Sequence, residues 1–141
     1  MSWVKIRMAR EADAKTIESM IFEWSKWQRE RIHTILGVLE DRNHLLLVAE
    51  SDEQLVGVLH MFFYLDIMHG ALNCHINFLL VREDFRGKGI GKNLLNEAVK
   101  QAKRRNVMEM HVDTVFEDAV KFYQKYGFKD DGVWLELALD K

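Results

Sequence analysis

The segment "REDFRGKGIGKNLL" (residues 82–95) places two arginines, two lysines and three glycines in fourteen positions. It follows an apolar run, "ALNCHINFLLV" (71–81), and opens onto a helical pattern in which Ile90, Leu94, Leu95, Ala98 and Ala102 share one face. Lys100, Lys103, Arg104 and Arg105 load the far end of that helix, over 90–105, as the macrodipole favours. A strand, a glycine loop and a helix start in succession suit an anion. Glycine lets the backbone turn sharply and approach a ligand closely, and the free N–H groups of the first helical turn converge on one spot. Arg86, Lys88 and Lys92 add positive charge. Spacing excludes two common phosphate motifs. The P-loop needs Ser or Thr after its Gly-Lys pair, and here Asn93 follows Gly91-Lys92. The dinucleotide fingerprint needs glycines two and then three apart, whereas Gly87, Gly89 and Gly91 are spaced two and two. What remains is R-x-x-G-x-G on Arg86, Gly89 and Gly91, which fits a pyrophosphate. The alternative is a plain strand-to-helix turn with solvated bases.

Working outward, "WVKIRM" (3–8) alternates as a first strand. Ile17, Met20, Ile21 and Trp24 form a helical stripe that Asp13 is placed to cap, with Trp27 and Ile32 as a possible extension. A second short helix is expected over 34–40. "LLLVAE" (45–50) and "LVGVLHMFFYL" (55–65) read as a hairpin around "SDEQ", and 71–81 as a fourth strand. Beyond the helix at 90–105, "VMEMHVDTV" (107–115) reads as a fifth strand. Thr114 and Glu117 have capping-box spacing for a helix that ends near Tyr126 and Gly127. "FKDDGVWLELAL" is expected to form a short strand, an Asp131-Gly132 turn and a closing strand. The fold class is therefore α/β in the α+β sense: a mixed, mostly antiparallel sheet flanked by about four helices.

At 141 residues the chain suits one domain spanning 1–141, and nothing resembling a linker divides it. A net charge of −2 provides no basic field for nucleic acid. No apolar run approaches a membrane span, and "MSWVKIRMAR" lacks the apolar core of a signal peptide. Cys74 is the single cysteine and reads as a small core residue; together these features point to a reducing cytoplasm.

With the loop and its setting in view, the sequence resembles the GNAT family of N-acetyltransferases. "RGKGIG" is similar to that family's acyl-CoA pyrophosphate loop. "AVKFYQKYGF" (119–128) resembles its A-x-x-(aromatic)-Y-x-x-x-G-F element, and "IRMAREADAKTIESM" (6–20) its opening strand and helix. The resemblance covers essentially the whole chain. It implies a GNAT-like sheet with splayed fourth and fifth strands, acetyl-CoA as acyl donor, an amine acceptor and a possible homodimer. It also implies that the backbone of Leu79, Leu80 and Val81 pairs with the pantetheine arm as an added strand would. Arg86, Gly87, Lys88, Gly89, Ile90, Gly91 and Lys92 would hold the pyrophosphate, and Tyr123 would sit near the thioester sulfur. No metal is implied.

Acetyl transfer to an amine needs a base, an oxyanion donor and a proton for the departing thiolate. The amide of Leu80 or Val81 is suited to the oxyanion, and Tyr123 to the thiolate as general acid. Where the family often has a glutamate base, this chain has His75 on the fourth strand and His111 on the fifth. Imidazole changes charge around neutral pH, which suits a base. Each ring is equally readable as a hydrogen-bonded strand histidine. Glu109 and Asp113 flank His111 on its own strand face. Trp27, Tyr64 and Asp66 are the candidate acceptor-side residues, with Trp24 and His33 nearby and Trp24 read as core. Two positions depart from the family's pattern: Phe116 stands where the family commonly has an asparagine that contacts the cofactor, and only "KDDG" separates the last two expected strands. The competing function is a catalytically silent acyl-CoA-binding or regulatory protein on the same fold.

Overall fold

The computed structural model describes residues 3–25, 27 and 29–140. They form two compact units, Met1–His111 and Val112–Lys141.

The larger unit is built on strands β1 (Val4–Met8), β2 (His44–Ser51), β3 (Gln54–Asp66), β4 (Ala71–Val81) and the start of β5 (Met110–Val112), in the order β1-β2-β3-β4-β5. The first four pair antiparallel. β5 runs parallel to β4: the Met108 N–H donates to the Leu72 carbonyl at 2.9 Å, and the Cys74 N–H to the Glu109 carbonyl at 3.0 Å. This is the mixed, mostly antiparallel sheet expected. β2 and β3 are buried along nearly their whole length, because helices cover both faces. On one face α1 (Ala14–Trp24) and α2 (Ile32–Glu40) press Ile17, Met20 and Ile35 onto Leu46, Val48, Val58 and Leu80. On the other, α3 (Ile90–Arg104) buries Ile90, Leu94, Leu95, Ala98 and Ala102. α3 approaches β3 so closely that a Cβ on Gly57 would lie 2.9 Å from Leu94 Cδ1.

Two register shifts matter. Ala49 opposes Gly57 while Glu50 opposes Leu55. Further along, Met61 opposes Ile76 while His60 opposes Phe78, so Asn77 is the extra residue of a β-bulge in β4.

Several local expectations change. Asp13 stands at the α1 N-cap position but makes no cap bond there. Its carboxylate instead accepts from Arg7 Nη1 at 2.8 Å, Arg7 Nη2 at 3.0 Å and the Arg10 N–H at 2.8 Å, and a charge-assisted fork outcompetes a single amide. That fork with Arg7 holds the Asp13 carboxyl below its ordinary range. α1 stops at Trp24, so Trp27 lies outside it, and Trp24 is 46% exposed rather than core. β5 is three residues long, not nine.

In the smaller unit, α4 (Glu117–Tyr126) starts from Phe116 with no side-chain cap. Thr114 Oγ1 accepts from the Phe116 N–H at 3.2 Å, so the expected capping box is not made. Gly127, at φ 129°, ends the helix. Residues 129–140 contain no strand: "VWLELAL" alternates in sequence, but Val133, Leu135, Leu137 and Leu139 are all more than four-fifths exposed. Alternation alone makes no ladder without a partner for its N–H and C=O groups.

Candidate functional site

β4 passes through a short turn, Glu83–Phe85, into the glycine loop. Gly87 and Gly89 sit in the left-handed region, with φ of 76° and 84°, and Gly89 caps α3. A Cβ on either would meet nothing within 4 Å, so glycine is present for its backbone freedom and not for space. The reversal at Gly89 starts the helix at Ile90. The first-turn N–H groups of Ile90, Gly91 and Lys92 have no preceding turn to receive them and form the anion-seeking end of α3. Arg86 Nε donates to the Val81 carbonyl at 3.0 Å, tying the loop back to the strand end. The Lys88 ammonium lies over the Phe85 ring, 5.3 Å from its centroid. Arg86, Lys88 and Lys92 are exposed, while Ile90 is anchored in the core. The structure thus assembles the strand, loop and helix start that the sequence placed together.

Along β4, His75 is buried and its ring lies 5.5 Å from that of Phe62. Cys74 beside it is fully buried, and burial pushes its thiol up to about 12, so it is an inert core residue, as its solitary place in the sequence implied.

His111, at the end of this unit, is more open. Glu109 Oε1 lies 3.4 Å from its Nε2, and the Tyr64 hydroxyl 3.3 Å from its Nδ1. A carboxylate at Nε2 favours the proton there and leaves Nδ1 as an acceptor. The ring thus lies between a carboxylate on its Nε2 side and a phenol on its Nδ1 side. Sequence reasoning assigned His111 and Tyr64 to separate roles; their meeting, across 47 positions, follows only from the β3–β4–β5 register.

The other acceptor-side candidates do not converge on that ring. The Asp66 carboxylate is engaged in the β3–β4 turn, where it accepts from His69 Nδ1 at 2.7 Å, the His69 N–H at 3.2 Å and Asn73 Nδ2 at 2.9 Å. Its hydrogen bonds to His69 hold its pKa below the ordinary value. Asn73 is fully buried, and its Oδ1 accepts from the Glu109 N–H at 3.0 Å, so the turn is stapled to the strand that carries His111. Trp27, between α1 and α2, is 61% exposed, and His33 is exposed on α2. Among the described residues no group of three or more His, Cys, Asp or Glu is arranged to hold a metal ion.

In the smaller unit, Tyr123 is buried on α4. Its ring meets Phe122 edge-on at 5.1 Å and Phe128 at 5.3 Å. Burial pushes its hydroxyl up to about 12, so it stays protonated at neutral pH and available as a donor.

The match to known proteins agrees with this architecture. Residues 8–128 match the acetyltransferase (GNAT) family, and the chain belongs to that family. Over 68 residues, 45% of this chain, it is 37% identical to an uncharacterised N-acetyltransferase of Methanocaldococcus jannaschii; over 58 residues, 41% of this chain, it is 38% identical to an acetyltransferase of Agrobacterium fabrum. The matched stretches span 30% and 42% of those relatives. A solved structure described as a transcriptional regulator from Bacillus halodurans is 27% identical. It covers 97% of this chain and 100% of its own, with a TM-score of 0.87.

Proposed function

We propose that this protein moves an acetyl group from acetyl-CoA to a primary amine of a small molecule or peptide by direct attack. The observation that carries the reading is the junction of β4 and α3: a strand ending in a left-handed glycine loop that opens a helix among three cations. On this reading the N–H groups of 87–92, with Arg86, Lys88 and Lys92, hold the donor's pyrophosphate, and Leu79, Leu80 and Val81 pair with its pantetheine arm.

The amine nitrogen attacks the thioester carbonyl. A C–N bond forms and the C–S bond breaks, giving an amide and free CoA. A protonated amine cannot attack, so a proton must leave first. His75 and His111 are the two candidates for it. His111 is favoured over His75, because Glu109 orients its ring and it is not buried. Its Nδ1 takes the amine proton directly or through the Tyr64 hydroxyl. The Leu80 N–H faces Val58 in the β3–β4 ladder, so the Val81 N–H, which alternation turns away from β3, is the one suited to the developing oxyanion. A thiol normally titrates roughly three units below the Tyr123 hydroxyl, so full proton transfer from Tyr123 to the leaving sulfur is uphill. Tyr123 therefore acts first as a hydrogen-bond donor to the forming thiolate. Trp27, Tyr64 and the turn at Asp66 lie on the acceptor side. A homodimer belongs to the same reading, as the family resemblance implies.

Thiol release from acetyl-CoA with a panel of amines tests the reading. Turnover with at least one amine supports it, and CoA binding without any turnover sinks it. That second outcome is what a silent acyl-CoA-binding regulator would give, a reading favoured only by the likeness to the Bacillus halodurans regulator.

A further inference from the structure

On the sheet face shared with α1 and α2, beyond Leu46 and Val58, the next rows of β2 and β3 carry His44 and His60. They form the middle of a four-residue series. Asp41 Oδ2 lies 3.8 Å from His44 Nε2, His44 Nδ1 lies 2.9 Å from His60 Nε2, and His60 Nδ1 lies 3.0 Å from Asn77 Nδ2. The two rings are within 15° of parallel. His60 is 9% exposed, and burial, with His44 beside it, depresses its pKa to about 4, so it is neutral at working pH.

The His44–His60 and His60–Asn77 links each need one donor and one acceptor, and a neutral imidazole supplies one of each, while the Asp41 carboxylate at 3.8 Å acts on the His44 ring through its charge. Only two directions satisfy every link. In the first, the Asn77 amide N–H donates to His60 Nδ1, His60 Nε2–H donates to His44 Nδ1, and His44 Nε2–H points at the Asp41 carboxylate. In the second, every proton is reversed and the His44 Nε2 lone pair faces the carboxylate. That opposition is unfavourable, so Asp41 selects the first direction. The choice reaches Asn77, whose amide is then locked with its nitrogen inward and its Oδ1 outward. Asn77 is exposed, is the extra residue of the β4 bulge, and stands two residues from both His75 and Leu79.

We propose that Asp41, His44 and His60 are positioning residues that fix the Asn77 amide, and that Asn77 Oδ1 accepts a hydrogen bond from a second N–H or O–H of the acceptor molecule. The preferred acceptors are then amines with a further donor near the reacting nitrogen, such as diamines, amino alcohols or peptide amines, in preference to simple alkyl monoamines. The acceptor half rests on the acetyltransferase reading; the series itself does not.

The test has two arms. Long-range proton–nitrogen NMR on the full chain, at slightly alkaline pH, reads the histidine tautomers with no reaction required. Both His44 and His60 are expected with the proton on Nε2, and Asn77→Asp, which removes the inward donor, is expected to move the His60 proton to Nδ1. A wild-type His60 protonated on Nδ1 overturns the series. In the second arm, kcat/KM is compared for a diamine and a monoamine of equal length. In Asn77→Leu, and more weakly in Asp41→Asn, the ratio is expected to fall about three- to tenfold, the worth of one hydrogen bond. An unchanged ratio overturns the acceptor half. If no amine turns over at all, the acceptor half falls with the acetyltransferase reading, while the tautomers still decide the series.

Discussion

Replacing Gly89 with alanine isolates what the glycine loop contributes. Gly89 has φ 84° and ψ 6°, and a Cβ there meets no atom within 4 Å. Collision therefore adds nothing, and the whole cost is that of a left-handed backbone carrying a side chain, about 1–2 kcal/mol. The protein can meet that cost in two ways. If the loop keeps its shape, stability falls by that amount, and for a chain of this size the melting temperature drops by roughly 4 °C per kcal/mol. If the loop relaxes, stability recovers but the N–H groups of the first α3 turn lose their aim. The apparent affinity for acetyl-CoA then falls about five- to thirtyfold, at 1.4 kcal/mol per decade. Thermal melts with and without CoA, together with the KM for acetyl-CoA, read both channels. Gly89→Asn, which tolerates the left-handed region better, is expected to cost less in both. Should Gly89→Ala match the parent in melting temperature and in KM alike, the claim that backbone conformation selects glycine here is wrong.

Gly57→Ala tests the opposite case, since its Cβ would lie 2.9 Å from Leu94 Cδ1 and 3.3 Å from Ile90 Cγ2. Overpacking under α3 is expected to cost about 1–3 kcal/mol in urea unfolding, and a cost below a few tenths would show that α3 shifts freely. His111→Ala is expected to lower kcat by about a hundredfold, and Glu109→Gln by less; rates untouched by His111→Ala would move the base to His75. His60 gives a pH signature. Its folded pKa of about 4 lies below the ordinary value of 6.5, so the unfolded chain takes up the proton first and stability falls as pH drops through that window. The loss is about 3 kcal/mol and levels off below pH 4; His60→Leu is expected to flatten that part of the stability–pH curve.

The strand–loop–helix arrangement proposed for the donor side was legible because it is local. Arg86, Gly87, Lys88, Gly89 and Lys92 lie within seven consecutive residues, and their chemistry depends on the strand before and the helix after, both strongly periodic. The same periodicity misled at the C-terminus. Period-two alternation in "VWLELAL" states which side chains would share a face, but it is silent on whether another strand's edge is there to receive the segment. Asp13 illustrates a second limit. Its place before an apolar stripe signals a cap, but the Arg7 guanidinium delivered by β1 offers a charged fork, and nothing in the spacing of 7 and 13 announces it.

The proposed acceptor side depends on register across three strands. Tyr64 meets His111 because β3 pairs with β4 and β4 with β5, and an offset of one residue in either would turn one of them to the opposite face. Asn77 depends on an irregularity of the same kind. Without the bulge, the positions of β4 after Ile76 would alternate in step with β3; with it, one extra residue is inserted and its amide falls beside His60 Nδ1. A histidine in the middle of the apolar run "LVGVLHMFFYL" was the only sign that a polar partner had to exist, because a buried imidazole without hydrogen bonds is costly. That sign names the need and not the partner. The glycine loop is thus set by adjacent residues, whereas the residues proposed to meet the acceptor sit where a bulge and two strand registers, set by packing on α1, α2 and α3, bring distant positions together.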